Sequence, residues 1–221
     1  MYAIAIVTVI IIVCVWVARR SRLLGADRFT LNQTRTRWSR VDGQAYRVHP
    51  GHAGADRAAD TMAAINGRII ELARVLRAKY LRTPAAAAQF PGRAAATRRL
   101  LDRYNPDNLV ENSPRGPEGD TSYTIDKGAI VALCLRPKNA QAPGIHDIET
   151  LTFVAFHELT HIAIDAVDHP PQFWEAFKFV LMDGQAAGLI RGVDYRARPT
   201  QYCGMRIDYN PLFDRALLPL I

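Results

Sequence analysis

"TFVAFHELTHIAIDAVDHPPQFW", residues 152–174, holds three of the chain's six histidines and one of its six glutamates. On a helix, residues four apart share a face, so His157 and His161 can point two imidazoles at one ion. Phe153, Val154, Phe156, Leu159, Ile162 and Ile164 surround them. A helix apolar on most of its sides is buried, and buried histidines and glutamates need partners. Chance would produce an H-E-x-x-H in roughly 0.4% of shuffled chains of this composition.

The order of the motif defines its chemistry. Zn²⁺ accepts imidazole nitrogen, and a catalytic site uses three protein ligands and keeps a fourth position for water. Glu158, next to the first ligand, reaches that water rather than the ion, as a general base. Bound zinc lowers the pKa of water from about 16 toward 7.

The third ligand is less directly written. The extended pattern H-E-x-x-H-x-x-G-x-x-H fails, because Ile164 and Val167 stand where glycine and histidine would be needed. His169 follows a helix expected to end near Ala166, and "HPPQFW" opens the next helix with prolines. A short loop there folds His169 back toward the ion. Glu175, Asp165 and His146 are the competitors, and Asp165 also suits a role holding a ligand imidazole in place.

The segment "FHELTHIAIDAVDHPPQFW" resembles the active-site region of zincin metallopeptidases, within them the WLM (Wss1-like) branch and the similar SprT-like group. His157, Glu158, His161, His169, Phe173 and Trp174 carry the resemblance, and the order of elements follows it over about residues 58–211. It implies an α+β zincin-like fold, zinc held by His157, His161 and His169, and Glu158 as catalytic base. The seven residues between His161 and His169 are longer than usual for that branch. Its soluble, DNA-associated members lack an anchor such as the one described next, so their cross-link repair role is not carried over.

Residues 2–18, "YAIAIVTVIIIVCVWVA", contain no charge. As a helix they would reach about 26 Å, enough to cross a thin bilayer. No basic region precedes this run and no small-x-small cleavage site follows it, which argues for an anchor over a signal peptide. Residues 19–40 carry seven arginines against Asp27, a net +6 of the whole chain's +7. The flank places the domain on the cytosolic side of a single-pass membrane protein. It also marks 19–40 as a contact for anionic lipid, with nucleic acid as the less favoured partner. Beyond residue 40 the net charge is only +1.

The expected organisation is therefore an anchor at 1–18, a basic linker at 19–57 and a peptidase domain at 58–221. Within the domain, apolar residues recur at helical steps over 58–81, and a shorter helix restarts over 93–105 after "TPAAAAQFPG". Strands at 122–125 and 129–135 flank an Asp126-Lys127-Gly128 turn. Helices follow over 148–166 and 170–190, then an irregular aromatic tail. His49 and His52 sit in a Gly/Pro loop without an acid partner. Cys134 and Cys203 lack CxxC spacing and are expected as buried thiols, with a disulfide as the alternative. Tyr202, Tyr195 and Tyr123 are candidate oxyanion donors, each with a core role as the plainer alternative.

Together these features predict a membrane-anchored zinc metallopeptidase acting on protein or peptide substrates. The competing readings are a catalytically silent zinc scaffold and a protease that works on DNA-bound proteins through the arginine arm.

Overall fold

The computed structural model describes residues 34–50, 53–112, 121–137 and 144–221. The stretch 2–18 and residues 19–33 of the basic linker lie outside these residues, as does His52. Among the described residues no helix is long and apolar enough to cross a membrane.

The chain forms a mixed α+β fold. A five-stranded sheet runs in the order β1-β2-β3-β5-β4. Its strands are β1 (Arg35–Trp38), β2 (Ala45–Val48), β3 (Leu109–Glu111), β4 (Tyr123–Ile125) and β5 (Ile130–Leu133). The β2/β3 and β3/β5 pairs are parallel, whereas β1/β2 and β4/β5 are antiparallel hairpins. Among the described residues β4 is thus an edge strand of the sheet.

Five helices complete the domain: α1 (Ala55–Tyr80), α2 (Pro84–Gln89), α3 (Pro91–Arg103), α4 (Ile148–Ala163) and α5 (Pro171–Ala186). α1 crosses from β2 toward β3 and buries Met62, Ile65, Ile69, Leu72 and Leu76 at steps of three and four, the periodicity of one apolar face. Arg68 fastens α1 to α4: its guanidinium donates to Glu149 Oε1 and to Thr152 Oγ1, while Glu149 Oε2 accepts from the Arg191 backbone N–H. A separate hairpin, β6 (Thr200–Tyr202) with β7 (Met205–Ile207), follows α5.

Several elements differ from the sequence reading. β1 and β2 arise within the stretch expected as a basic linker; β1 is exposed at every position and offers no alternation to read. β3 lies between the helix expected over 93–105 and the strand expected at 122–125, where no element is predicted; its three residues are all buried, too short a run to register as a pattern. The "TPAAAAQ" segment expected to break helicity forms α2, with Thr83 Oγ1 accepting from Ala86 N and Pro84 in the first turn, where proline is tolerated. The tail expected to be irregular contains the β6–β7 hairpin.

The cysteines also correct an expectation. Cys134 and Cys203 form a disulfide rather than standing as free thiols. It ties the residue just past β5 to the turn between β6 and β7, where Cys203 adopts φ 45°. Both residues are buried.

Candidate metal centre

The motif helix begins at a cap. Asp147 Oδ1 accepts from the backbone N–H groups of Glu149 and Thr150, at 3.1 and 3.0 Å, satisfying two donors of the first turn of α4. Beyond it, Leu151, Ala155, Leu159 and Ile162 lie in the core, leaving His157 and His161 on the remaining face.

The helix ends at Ala163, two residues past His161. The chain then loops through residues 164–168, and Asp168 takes a left-handed conformation (φ 58°), which aspartate tolerates better than most residues. His169 follows, and Pro170 and Pro171 open α5. The loop returns His169 to the open side of His157 and His161.

The three Nε2 atoms stand 3.3 Å (His157–His161), 3.2 Å (His161–His169) and 2.9 Å (His157–His169) apart. Their ring centroids are farther apart, at 4.8–5.0 Å, so the nitrogens turn inward toward a common point. Tetrahedral zinc ligands at about 2.0–2.1 Å from the ion stand roughly 3.3 Å from one another, which this triangle approaches. Phe173, fully buried, lies under all three rings with centroids 4.8, 4.4 and 4.6 Å away. Its place in the first turn of α5 makes it the platform on which the imidazoles rest.

The electrostatics suit a cation. Burial drives the His157 pKa well below the ordinary histidine range, with further depression from His161 and His169. His161 is pushed down to about 4, first by burial and then by His169 and Lys127. Burial lowers His169 as well, partly offset by Asp168. Three neutral imidazoles with converging lone pairs are the form a metal requires, and the donor set fits Zn²⁺.

Glu158 is 4% exposed. Thr124 Oγ1, on edge strand β4, donates to its Oε2 at 2.9 Å. Burial raises the Glu158 pKa to about 7 against the opposing pull of that hydrogen bond. Glu158, the three histidines and Thr124 line one cleft of about 770 Å³. The β6–β7 hairpin and Trp174 form other parts of its wall.

The competitors for the third position go elsewhere. Asp165 points away into solvent, 65% exposed, and pairs with Arg103 at 2.7 Å and Arg99 at 3.6 Å, so it holds no ligand imidazole. His146 packs beside Tyr202, its Nε2 3.4 Å from the Cys203 backbone nitrogen. Glu175 is absent from the cluster of ligand-capable groups, which contains only His157, His161 and His169 among the described residues. His49, through its backbone, donates to Glu111 Oε2.

Of the three tyrosines, Tyr195 packs on Phe153 away from the cleft. Tyr202 lines the cleft, but its hydroxyl donates to the Cys134 carbonyl and is shared with Ser122. Tyr123 lines the cleft from β4. Thr124 escaped the sequence reading, because a threonine in a short strand carries no sign of the carboxylate that the fold places against it. Tyr209 did too: it stacks edge-on against Trp174 at 5.1 Å on the cleft wall.

Fold and site define an α+β domain with a three-histidine, one-glutamate cluster in a cleft. No family model matches the chain. It is 40% identical over 104 residues to an uncharacterized protein of Acanthamoeba polyphaga mimivirus, which covers 47% of this chain and 51% of that protein. It is 35% identical over 90 residues to an uncharacterized protein of Invertebrate iridescent virus 6, covering 41% and 49%. The chain spans about half the length of these curated relatives. Among solved structures it is similar to a Wss1 mutant from Saccharomyces cerevisiae, with a TM-score of 0.44 and 15% identity over 64% of this chain and 88% of that one. A likeness at that level carries no argument about activity.

Proposed function

We propose that the chain is a zinc-dependent metallopeptidase that hydrolyses peptide bonds with Glu158 as general base. The observation that carries this reading is the convergence of three Nε2 atoms within 2.9–3.3 Å of one another in a cleft that also presents a buried glutamate. His157, His161 and His169 would hold the metal. When bound, zinc supplies Lewis acidity toward water and toward the scissile carbonyl. Glu158 would take the proton of the attacking water and return it to the leaving amine, a role its place in the cleft beside the three histidines allows. Thr124 fixes the rotamer of that carboxyl through its 2.9 Å hydrogen bond.

A silent structural zinc site is the weaker reading. Structural sites are closed by four protein ligands, and among the described residues no fourth His, Cys, Asp or Glu joins the cluster. The test is metal content and peptide hydrolysis in parallel. Wild type is expected to hold about one zinc per chain. Glu158→Gln should keep that zinc and lose about 10²–10⁴-fold in kcat; full activity in Glu158→Gln would remove the mechanism.

The anchor at 2–18, the lipid contact at 19–40 and the cytosolic orientation belong to the same proposal and rest on sequence alone. Two of the arginines in 19–40 are already engaged within the domain: Arg40 pairs with Asp60 at 2.6 Å, and Arg37 lies 3.9 Å from Asp56. The charge left for a membrane or for nucleic acid is accordingly smaller than the sequence count. Alkaline carbonate extraction of cell membranes tests the anchor: a chain that washes off is not membrane-spanning.

A further inference from the structure

The long spacer between His161 and His169 raises a question of precision. Five residues outside any helix (164–168) must deliver an imidazole to within 2.9 Å of its partner nitrogen. We infer that Arg103 and Lys127 are positioning residues for the metal, pinning this spacer so that His169 completes the triad. The inference rests on the metal-site reading and asks which groups outside that site hold its third member.

The contacts are specific. A helix leaves its last carbonyls without intrahelical donors. At the end of α4, the Ile164 N–H takes the Thr160 carbonyl. Arg103 Nη1 donates to the Ile162 carbonyl at 3.1 Å and Arg99 Nε to the Ala163 carbonyl at 2.8 Å. Two guanidinium groups from α3 thus cap the helix where cations are favoured. The cap lets the chain leave α4 in extended conformation at Ile164.

The same cations continue along the spacer. Arg103 Nη2 donates to Asp165 Oδ1 at 2.7 Å. Lys127 Nζ then donates to the Ala166 carbonyl at 2.6 Å. Ile162, Ala163, Asp165 and Ala166 are thus each held by a cation, and the left-handed turn at Asp168 follows.

Lys127 is itself placed by backbone geometry. Asp126, Lys127 and Gly128 all have positive φ, at 44°, 56° and 110°. A Cβ at Gly128 would come within 2.9 Å of the Arg103 carbonyl oxygen. Only glycine lets the β4–β5 turn lie this close to the end of α3, so Lys127 and Arg103 reach the spacer from one joint base. Neither cation can ligate the metal, and the charge of Lys127, which lines the cleft and depresses the His161 pKa, by itself disfavours a bound cation; a loss of affinity on removing that charge therefore reports on the loop.

The experiment measures zinc affinity of the full chain in detergent by competition with a chromogenic chelator. Lys127→Met and Arg103→Met are compared with wild type, and each is repeated in a His169→Ala background. Each substitution alone is expected to weaken zinc binding about 10–100-fold, the range for outer partners of metal ligands. In the His169→Ala background neither should cause any further loss. Lys127→Arg, which keeps a donor, is expected to restore affinity to within about threefold of wild type. Unchanged affinity in both single variants would overturn the inference, as would an equal loss with and without His169, the mark of general destabilisation. Absence of zinc from wild type would overturn the metal reading itself, an outcome distinct from either.

Discussion

Thr124 reaches Glu158 through one hydroxyl, and that contact is the most direct test of how the base is set. A hydrogen bond to a charged group is worth about 1.5–3 kcal/mol when one partner is lost, and tenfold in rate corresponds to about 1.4 kcal/mol. Thr124→Val is therefore expected to lower kcat/KM about 10–100-fold. Thr124→Ser keeps the hydroxyl and should stay near wild type. Zinc content measured on the same samples should be unchanged in both, since Thr124 touches none of the histidines. At this scale much of the site was legible. His157, Glu158 and His161 announce themselves by a spacing that has meaning on any helix, and His169 follows from the prolines that stop and restart the chain. Thr124 was not legible, because its meaning comes from packing β4 against α4 across 34 positions of sequence. Asp165 shows the reverse error: its helical spacing from His161 suggested a shared face, yet α4 ends at Ala163 and the side chain turns to arginine instead.

Among the elements, α4 depends on a cap at one end and a close helix partner along its length. Asp147 holds the N-terminus, and its carboxyl pKa lies below the ordinary value, where burial opposes and hydrogen bonds from Thr150 and Glu149 prevail. A depressed folded-state pKa means stability that is complete above the unfolded pKa of about 3.9 and lost as pH falls through the folded value. Asp147→Ala should cost about 1 kcal/mol at pH 7. The gap between the two proteins, read by urea denaturation, should narrow as pH is lowered below about 4. Along the helix, Gly184 of α5 receives Phe156: a Cβ there would meet the ring at 2.6 Å. Both residues are buried, so the ring has little room to move. Gly184→Ala is accordingly expected to destabilise by about 1–3 kcal/mol as an overpacked contact. A melting temperature equal to wild type would show that the two helices separate freely. The long helices and the β4–β5 hairpin were readable from periodicity. The short strands were not, since three or four residues give no period and their identity is fixed by their neighbours in the sheet.

Across the whole molecule, the Cys134–Cys203 disulfide closes a loop of 69 residues in sequence separation that contains α4, the spacer and α5. In the chain-entropy model a loop of that size stabilises by roughly 4 kcal/mol through restriction of the unfolded state. The bond also fastens the β6–β7 hairpin, which shares no strand pairing with the main sheet, to the end of β5. Two further contacts support the same joint: Ser122 Oγ accepts from Cys134 N, and the Tyr202 hydroxyl donates to the Cys134 carbonyl. The Cys134→Ala, Cys203→Ala double variant should therefore lose up to about 4 kcal/mol by denaturant titration, yet keep its zinc, because no histidine of the triad lies on the hairpin. The proposed peptidase activity should fall chiefly through a higher KM, since Tyr202, Met205 and Ile207 form a wall of the cleft. A lower kcat at constant KM would mean that the hairpin acts on the chemistry rather than on substrate seating. The burial of both sulfurs bears on the proposed cytosolic orientation as well. Disulfides there are normally reduced, but exchange requires a thiolate to reach a sulfur, and Cys134 and Cys203 are 0% and 3% exposed. Reduction of the folded protein by millimolar glutathione should consequently be slow and limited by opening of the hairpin, and mild denaturant should accelerate it. Rapid reduction in the native state would place the domain, if the bond is to persist, in an oxidising compartment.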